Sequence, residues 1–210
     1  MILSFYSFGV MLHKRDGDMV SEFPVDPAQI ATALSAKTRF ETGILNPNTI
    51  FVRQEEVKKV VVEYREPQKT GVYLDGSENA VRAPLPGLLL IRTLPDGKTP
   101  EYLVYAMKKR PLTLDEPLFH APLPNIYSSA SICWGSVPKV TAAAMNGTSL
   151  EEDWKMLLGS GFGTHSASGK SKSHPKDIRT HLISLEKRKT RTYPISDLIP
   201  FNKTLAEVLK

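Results

Sequence analysis

The sequence predicts an α+β fold in which an antiparallel sheet is flanked by helices. Strand-like runs rich in β-branched residues recur over residues 49–107, and turn signals separate them. A Pro-Asp-Gly tripeptide at 95–97 is a strong hairpin signal within that stretch. Apolar residues at helical spacing precede the meander at 27–37 and follow it from Ser149. The order of helix, antiparallel meander and helices gives the fold class.

The first half of the chain supplies the helix and the strands. Residues 1–12 are rather apolar and predict a first strand, and residues 14–18 predict a turn. Asp26 is suited to the N-cap and Pro27 to the first position of the helix at 27–37. The strands of the meander are expected at 49–52, 57–65, 72–74, 87–92 and 102–107.

Prolines interrupt regular secondary structure in the part of the chain that follows the meander. Four prolines forbid regular structure across most of residues 111–132. A long irregular segment held by a compact sheet is often functional. Thr148 or Ser149 can cap the next helix, the apolar segment 178–185 is either helix or strand, and a small helix is expected at 204–209.

We divide the chain into a core and two appendages. Residues 1–158 form the core, with the N-terminal strand as an extension. Residues 159–177 are rich in Gly, Ser, Lys and His and are expected to form a flexible basic loop. Residues 178–210 are expected to form a C-terminal helical extension that packs on the core.

Composition restricts the class of protein. A chain of 210 residues with 41% hydrophobic residues can bury a sizeable core. The single cysteine excludes an intramolecular disulfide and a multi-cysteine zinc site, and it fits a reducing, cytoplasmic compartment. The N-terminal segment lacks a basic n-region, and no apolar run reaches the roughly 18 residues of a membrane span. We expect no metal and no cofactor.

The most informative stretch is residues 122–135, which holds the only cysteine, Cys133. It opens with a Pro-x-Pro-Asn turn, and Asn125 lies eight positions before the cysteine. Acyl transfer through a thioester requires a thiol displayed on a rigid loop with an amide nearby. The alternative is an inert buried thiol, because free cysteine is among the most buried residue types. The supporting loop residues are Pro124, Tyr127, Ser129, Ser131 and Trp134.

This stretch resembles the active-site loop of ubiquitin-conjugating enzymes. Those enzymes carry His-Pro-Asn, a short loop, an apolar residue and the catalytic cysteine, and residues 123–125 and 132–133 stand in those places here. The order of helix, meander, Pro-rich segment and cysteine is similar too. The sequence around the cysteine and at 193–205 is similar to the PRTRC system protein B family, from the divergent bacterial branch of the fold.

The resemblance implies that Cys133 carries a ubiquitin-like protein as a thioester and passes it to an amine. A free thiol, with a pKa of about 8.5, is partly ionised at neutral pH, so no dedicated base is required. Asn125 has two candidate roles: its NH₂ group can donate to the oxyanion, or its side chain can hold the shape of the loop. The implied partners are a ubiquitin-like protein, a ThiF-like adenylating enzyme of the ubiquitin-activating type and a JAB-type metalloprotease from the same operon.

Departures from the family leave other interpretations open. Leu123 replaces the family's histidine, which fits a catalytically inactive binding module of the same fold. Basic residues late in the chain, and the net charge of +5, suggest a third interpretation, a DNA-binding accessory. No aromatic residues interleave with those charges, so we expect an acidic partner surface rather than nucleic acid.

Two further patterns carry less weight. The histidine spacings match no zinc motif. His120 could tune the thiol pKa, although packing in the loop is the blander interpretation, and His165 could fold back over the site. Residues 169–171 resemble the end of a phosphate-binding loop, but the earlier glycine is misplaced and no strand precedes it.

Overall fold

The structure is a computed structural model that describes residues 2–38, 42–55, 58–95, 99–135, 137 and 147–210. These residues belong to two compact units, Met1–Gly43 and Ile44–Lys210. The predicted α+β fold with an antiparallel meander is confirmed. Residues 96–97 of the predicted hairpin turn lie outside the described residues, but the two strands that they join are paired.

The first unit is a three-stranded antiparallel sheet followed by a helix. Its elements are β1 (Ile2–Tyr6), β2 (Gly9–Asp16), β3 (Met19–Val25) and α1 (Pro27–Thr38). The single strand predicted over residues 1–12 is wrong, because a turn at residues 7–8 divides it. Gly9 then adopts a φ of 150°, which glycine reaches without strain. The predicted N-cap is confirmed, since Asp26 Oδ1 accepts a hydrogen bond from Ala28 N at 2.9 Å.

The described residues of the second unit form two sheets and three helices. Its strands are β4 (Thr49–Gln54), β5 (Lys58–Arg65), β6 (Gln68–Leu74), β7 (Val81–Leu85), β8 (Gly87–Pro95), β9 (Glu101–Met107), β10 (Pro117–His120), β11 (Gly161–Phe162) and β12 (Pro200–Thr204). Its helices are α2 (Glu151–Gly159), α3 (Ile178–Lys187) and α4 (Leu205–Val208), with a 3-10 turn at Ile195–Asp197. No helix in the described part of the chain is long and apolar enough to cross a membrane.

The main sheet has six antiparallel strands in the order β12-β10-β9-β8-β5-β4. The smaller sheet has the order β11-β6-β7, and β11 runs parallel to β6. This short parallel pairing connects the end of α2 to the end of β6. It therefore brings residues that are distant in sequence to one edge of the unit.

Among the described residues, five strands lie where the sequence pattern predicted none, namely β3, β7, β10, β11 and β12. β10 interrupts the segment 111–132, and β12 adds a strand to a C-terminal part expected to be helical. Prolines open both strands, at positions 117 and 200. Proline is tolerated at the first residue of a strand or on an edge strand. The prolines therefore led us to predict more irregular structure than the chain contains. The small helix predicted at 204–209 is confirmed as α4, which Thr204 caps.

Apolar side chains cover both faces of the main sheet. The alternation is visible in β5, where Val61 joins one core cluster and Val60 and Val62 join the other. The first cluster also contains Trp154 of α2, and the second contains Leu205 of α4. The sheet is therefore a buried central layer that carries loops at its edges.

A buried carboxylate fixes α2 on the sheet. Glu63 of β5 is fully buried and accepts hydrogen bonds from Leu150 N at 2.8 Å and Trp154 Nε1 at 3.1 Å. Thr49 Oγ1 donates to the same carboxylate at 3.2 Å. Ser149, one of the two predicted capping residues, accepts a hydrogen bond from Glu151 N through its Oγ at 3.3 Å, although the boundary residue Leu150 makes no side-chain cap bond. Glu63 accepts the hydrogen bond of a second backbone N–H at that helix start, from Leu150.

Candidate active site

The backbone ahead of the cysteine lies alongside β9. β10 is only four residues long, and the following loop continues the pairing with β9 beyond it. Val104 N donates to Ala130 O at 2.9 Å, and Leu103 forms a β-bridge with Ser131. The central sheet therefore fixes the loop two residues before Cys133.

Asn125 and Cys133 are joined through their backbones. Cys133 N donates to Asn125 O at 2.8 Å, and Ile126 and Ile132 form a β-bridge inside this pair. Asn125 has a φ of 57°, a left-handed conformation that asparagine tolerates better than most residues. The spacing of eight positions between the two residues thus closes into a narrow, hairpin-like loop.

The cysteine lies between two anchored apolar residues. Ile132 and Trp134 both pack against the core cluster that contains Trp154. Cys133 between them is partly exposed. Successive side chains of an extended backbone point to opposite sides, so anchoring both neighbours in the core turns the thiol outward. A thiol in this position is accessible to solvent, unlike that of an inert core cysteine.

Tyr127 is the polar neighbour of the thiol. Hydrogen bonding with the Cys133 side chain, followed by the charge of the ionised thiol, raises the pKa of Tyr127. The side chain of Tyr127 is 38% exposed, so the pair is open to solvent. A phenol that keeps its proton can donate to a thiolate, or to an oxygen that develops negative charge nearby.

The side chain of Asn125 points towards the segment that follows α2. Its Nδ2 donates to Gly161 O at 3.2 Å, and its backbone N donates to His165 O at 2.8 Å. Its Oδ1 is buried and has no hydrogen-bond partner within the described residues. This geometry agrees with one of the two roles considered for Asn125, in which its side chain holds the shape of the loop. The oxyanion role stays a prediction.

A carboxylate near this amide was missed by the sequence analysis. Asp75 follows β6 and is exposed, and its backbone N donates to Phe162 O at 2.9 Å. A Cβ atom placed on Gly163 would lie 3.0 Å from Asp75 Oδ2 and 3.8 Å from Asn125 Oδ1. The absence of a side chain at 163 therefore leaves room between these two oxygens. In the sequence Asp75 precedes a glycine, which indicates a turn and gives no sign of a site.

His165 folds back towards the site, as hypothesised from the sequence. Its carbonyl accepts the hydrogen bond from Asn125, and its ring meets the ring of Tyr127 edge-on with centroids 5.3 Å apart. The segment that carries it has internal hydrogen bonds too, from Gly169 N to Pro175 O and from Ile178 N to Ala167 O. The stretch we expected to be a flexible loop thus forms one wall of the site.

The supporting residues named from the sequence surround the loop in different ways. Pro124 is buried beneath it. Ser129 Oγ and Ser131 Oγ are 2.8 Å apart and are hydrogen-bonded to each other. The ring of Trp134 meets the ring of Tyr102 edge-on, with centroids 5.2 Å apart.

His120 is placed as a packing residue. Its ring lies edge-on to Phe201 with centroids 5.0 Å apart. Burial, followed by the positive charge of Lys170, lowers the pKa of His120. These contacts agree with the interpretation that His120 packs the loop. Within the described ranges, no group of three or more His, Cys, Asp or Glu side chains could hold a metal ion.

The antiparallel meander with its helices is consistent with the ubiquitin-conjugating, or E2-like, class of α+β fold. The family described as prokaryotic E2 family D matches residues 28–201. The chain belongs to this family, and the predicted bacterial E2-like relationship is confirmed. The match begins within α1, so strands β1–β3 precede it. No curated protein and no solved structure gives a significant match to the chain.

Proposed function

We propose that the chain carries a ubiquitin-like protein as a thioester on Cys133 and passes it to an amine acceptor. The observation that carries the proposal is the partly exposed thiol between two core-anchored residues, with Tyr127 beside it. Membership of a prokaryotic E2 family supports the same chemistry. The activity is therefore that of an acyl transferase with a thioester mechanism.

In the first step, the Cys133 thiolate attacks the carbonyl carbon of an activated C-terminus. This C-terminus is held as an adenylate or as a thioester on an adenylating enzyme. The new C–S bond replaces the bond to the leaving group, which departs as AMP or as the thiolate of that enzyme, and the thiol proton goes to solvent. The Tyr127 hydroxyl can donate a hydrogen bond to the sulfur while the sulfur is charged.

In the second step, a neutral amine attacks the thioester carbonyl, and the tetrahedral intermediate expels the Cys133 thiolate. The amine loses one proton to solvent as the amide forms. The carboxylate of Asp75 and the unpartnered Oδ1 of Asn125 both lie close to the empty space at Gly163. We assign these two oxygens as acceptors that orient the N–H groups of the amine.

The partners follow from the chemistry of the two steps. A ubiquitin-like protein supplies the acyl group, and a ThiF-like adenylating enzyme activates it. A JAB-type metalloprotease, expected from the same operon, would remove the modifier again. We place this set of proteins in a bacterial cassette of the PRTRC type, on the strength of the sequence resemblance around Cys133 and at 193–205.

The proposal is tested by incubating the chain with its adenylating enzyme, the ubiquitin-like protein and ATP. We expect an adduct that survives non-reducing gel electrophoresis and is removed by a thiol reductant. The Cys133→Ala variant should form no adduct, whereas the matched Ser131→Ala variant should form it. A reductant-resistant adduct, or an adduct on Cys133→Ala, would contradict thioester carriage on this residue.

One observation favours a second function, a catalytically inactive binding module. The Asn125 amide donates to Gly161 O, and Leu123, which replaces the family's histidine, is fully buried in the core. A rigid loop of this kind can serve as a docking platform without chemistry. Binding of the ubiquitin-like protein with no adduct, and with the same affinity in Cys133→Ala, would support this function over the first.

A further inference from the structure

A buried polar cluster lies behind the residue that follows the cysteine. The ring of Tyr102 meets the indole of Trp134 edge-on, at an interplanar angle of 77°. The Tyr102 hydroxyl donates to Asp153 Oδ1 at 2.6 Å. Asp153 lies on α2 and is 1% exposed, and Tyr102 is 5% exposed. A short chain of contacts therefore runs from α2 through Tyr102 to the neighbour of Cys133.

Arg92 completes the cluster from the adjacent strand. It is paired with Tyr102 across β8 and β9, and its Nη1 donates to Asp153 Oδ2 at 2.9 Å. Its Nη2 donates to Gly147 O at 2.9 Å. Burial, followed by the hydrogen bond to Asp153, raises the pKa of Tyr102. The phenol therefore keeps its proton and acts as the donor.

A cluster of this kind is poorly explained by stability alone. Replacing a buried ion pair with apolar residues of similar volume is often neutral or stabilising. A fully hydrogen-bonded buried network does, however, hold its side chains in one arrangement. Here that arrangement holds the ring of Tyr102, because its hydroxyl donates to Asp153, which Arg92 also binds. The ring in turn limits where the indole of Trp134 can lie.

We propose that Tyr102 is a positioning residue for Cys133. Its hydroxyl, bonded to Asp153, holds the ring against which Trp134 rests, and this contact keeps the neighbouring thiol turned outward. The expected effect of Tyr102 on the rate of thioester formation rests on the proposed function. Its effect on the position of Trp134 does not, so an experiment can refute either claim without the other.

The test compares Tyr102→Phe with Tyr193→Phe. Both phenols are buried and donate to a buried aspartate, Tyr193 to Asp197 Oδ2 at 3.3 Å, but the ring of Tyr193 lies against His181. Trp154 is fully buried, so iodide quenching of the two-tryptophan chain reports mainly Trp134. We expect Tyr102→Phe to raise iodide quenching and Tyr193→Phe to leave it unchanged.

Kinetics of thioester formation supply the second measurement. Because a misplacement of 1 Å can cost about 10²-fold in rate, we expect Tyr102→Phe to lower kcat by about tenfold. KM for the ubiquitin-like protein should stay the same, since Tyr102 is buried and does not reach a docking surface. Tyr193→Phe should leave kcat unchanged even if its melting temperature falls.

The Asp153→Asn variant distinguishes an effect on the position of Trp134 from an effect on the stability of the protein. Asparagine keeps an oxygen acceptor for Tyr102 but loses the ionic partner of Arg92, so the melting temperature should fall further than in Tyr102→Phe. Iodide quenching should nevertheless stay closer to the wild-type value. The inference is overturned if quenching and kcat follow the melting temperature across the variants, or if Tyr102→Phe changes neither quenching nor kcat. If the wild-type chain forms no thioester, the proposed function fails and the quenching measurements still decide the positional claim.

Discussion

Glu63→Gln is the perturbation that tests how α2 is held behind the active-site loop. Glu63 is fully buried and accepts hydrogen bonds from three donors, Thr49 Oγ1, Leu150 N and Trp154 Nε1. Glutamine has nearly the same shape, so the substitution leaves the packing in place. It replaces one acceptor oxygen with an NH₂ group, which turns a donor towards another donor.

The magnitude follows from counting the groups left unsatisfied. If the glutamine oxygen serves Leu150 N and Thr49 Oγ1, which share one carboxylate oxygen, its NH₂ group faces Trp154 Nε1. Two buried donors then lack acceptors, and each costs about 1–3 kcal/mol, so the loss of unfolding free energy should be about 3 kcal/mol. For a chain of this size, that loss lowers the melting temperature by roughly 6–12 °C.

Chemical and thermal unfolding give the measurement, and Glu152→Gln gives the matched control. Glu152 lies on the same helix, but its carboxylate is exposed and pairs with Lys155 at 2.8 Å. An exposed pair at i,i+3 contributes little to stability, so the control should stay close to wild type. If Glu63→Gln unfolds at the same denaturant concentration as Glu152→Gln, the reasoning about the buried carboxylate is refuted.

Two further predictions concern the site and the pH dependence of stability. Asp75→Ala, which removes the acceptor oxygens assigned to orient the amine, should leave thioester formation on Cys133 unchanged and slow discharge to free lysine by about tenfold or more; equal discharge rates for Asp75→Ala and the control Glu78→Ala would contradict the assigned role. The hydrogen bond from Arg179 lowers the pKa of Asp177, so the folded state gains stability above the unfolded pKa of about 3.9 and loses it as the pH falls through the lower folded value. The urea midpoint of wild type should therefore exceed that of Asp177→Asn at pH 6, and the difference should shrink below about pH 4; a constant difference would show that the carboxyl is not the cause.

The elements that the sequence predicted well are those whose signals are local. The helix that begins at Pro27 is preceded by an N-cap aspartate, and the central strands of the meander carry short apolar runs of β-branched, leucine and aromatic residues. β10 and β12 were missed because both are short and begin with proline, and their hydrogen bonds come from strands distant in sequence. The division of residues 1–12 into two strands was signalled only by Gly9, whose positive φ permits the turn.

In the candidate site too, features with a local sequence signal were predicted, and features that depend on distant contacts were not. Asn125 and Cys133 could be paired from the sequence because the loop between them is short and its backbone closes on itself. Asp75 and Tyr102 could not, because each reaches the site through a contact across many residues. The parallel pairing of β11 with β6 brings Asp75 to the amide, and the buried cluster on α2 links Tyr102 to Trp134.

The sequence by itself determined the class of the fold, the family and the position of the one thiol that could carry an acyl group. These depend on periodicity, turn residues and a single short motif, all of which act between neighbours along the chain. The tertiary structure decided what surrounds that thiol. Core packing of Ile132 and Trp134 turns Cys133 outward, and long-range pairing sets Asp75 and His165 around Asn125. The physical reason is that these contacts arise from burial and hydrogen bonding between distant segments, which no local pattern encodes.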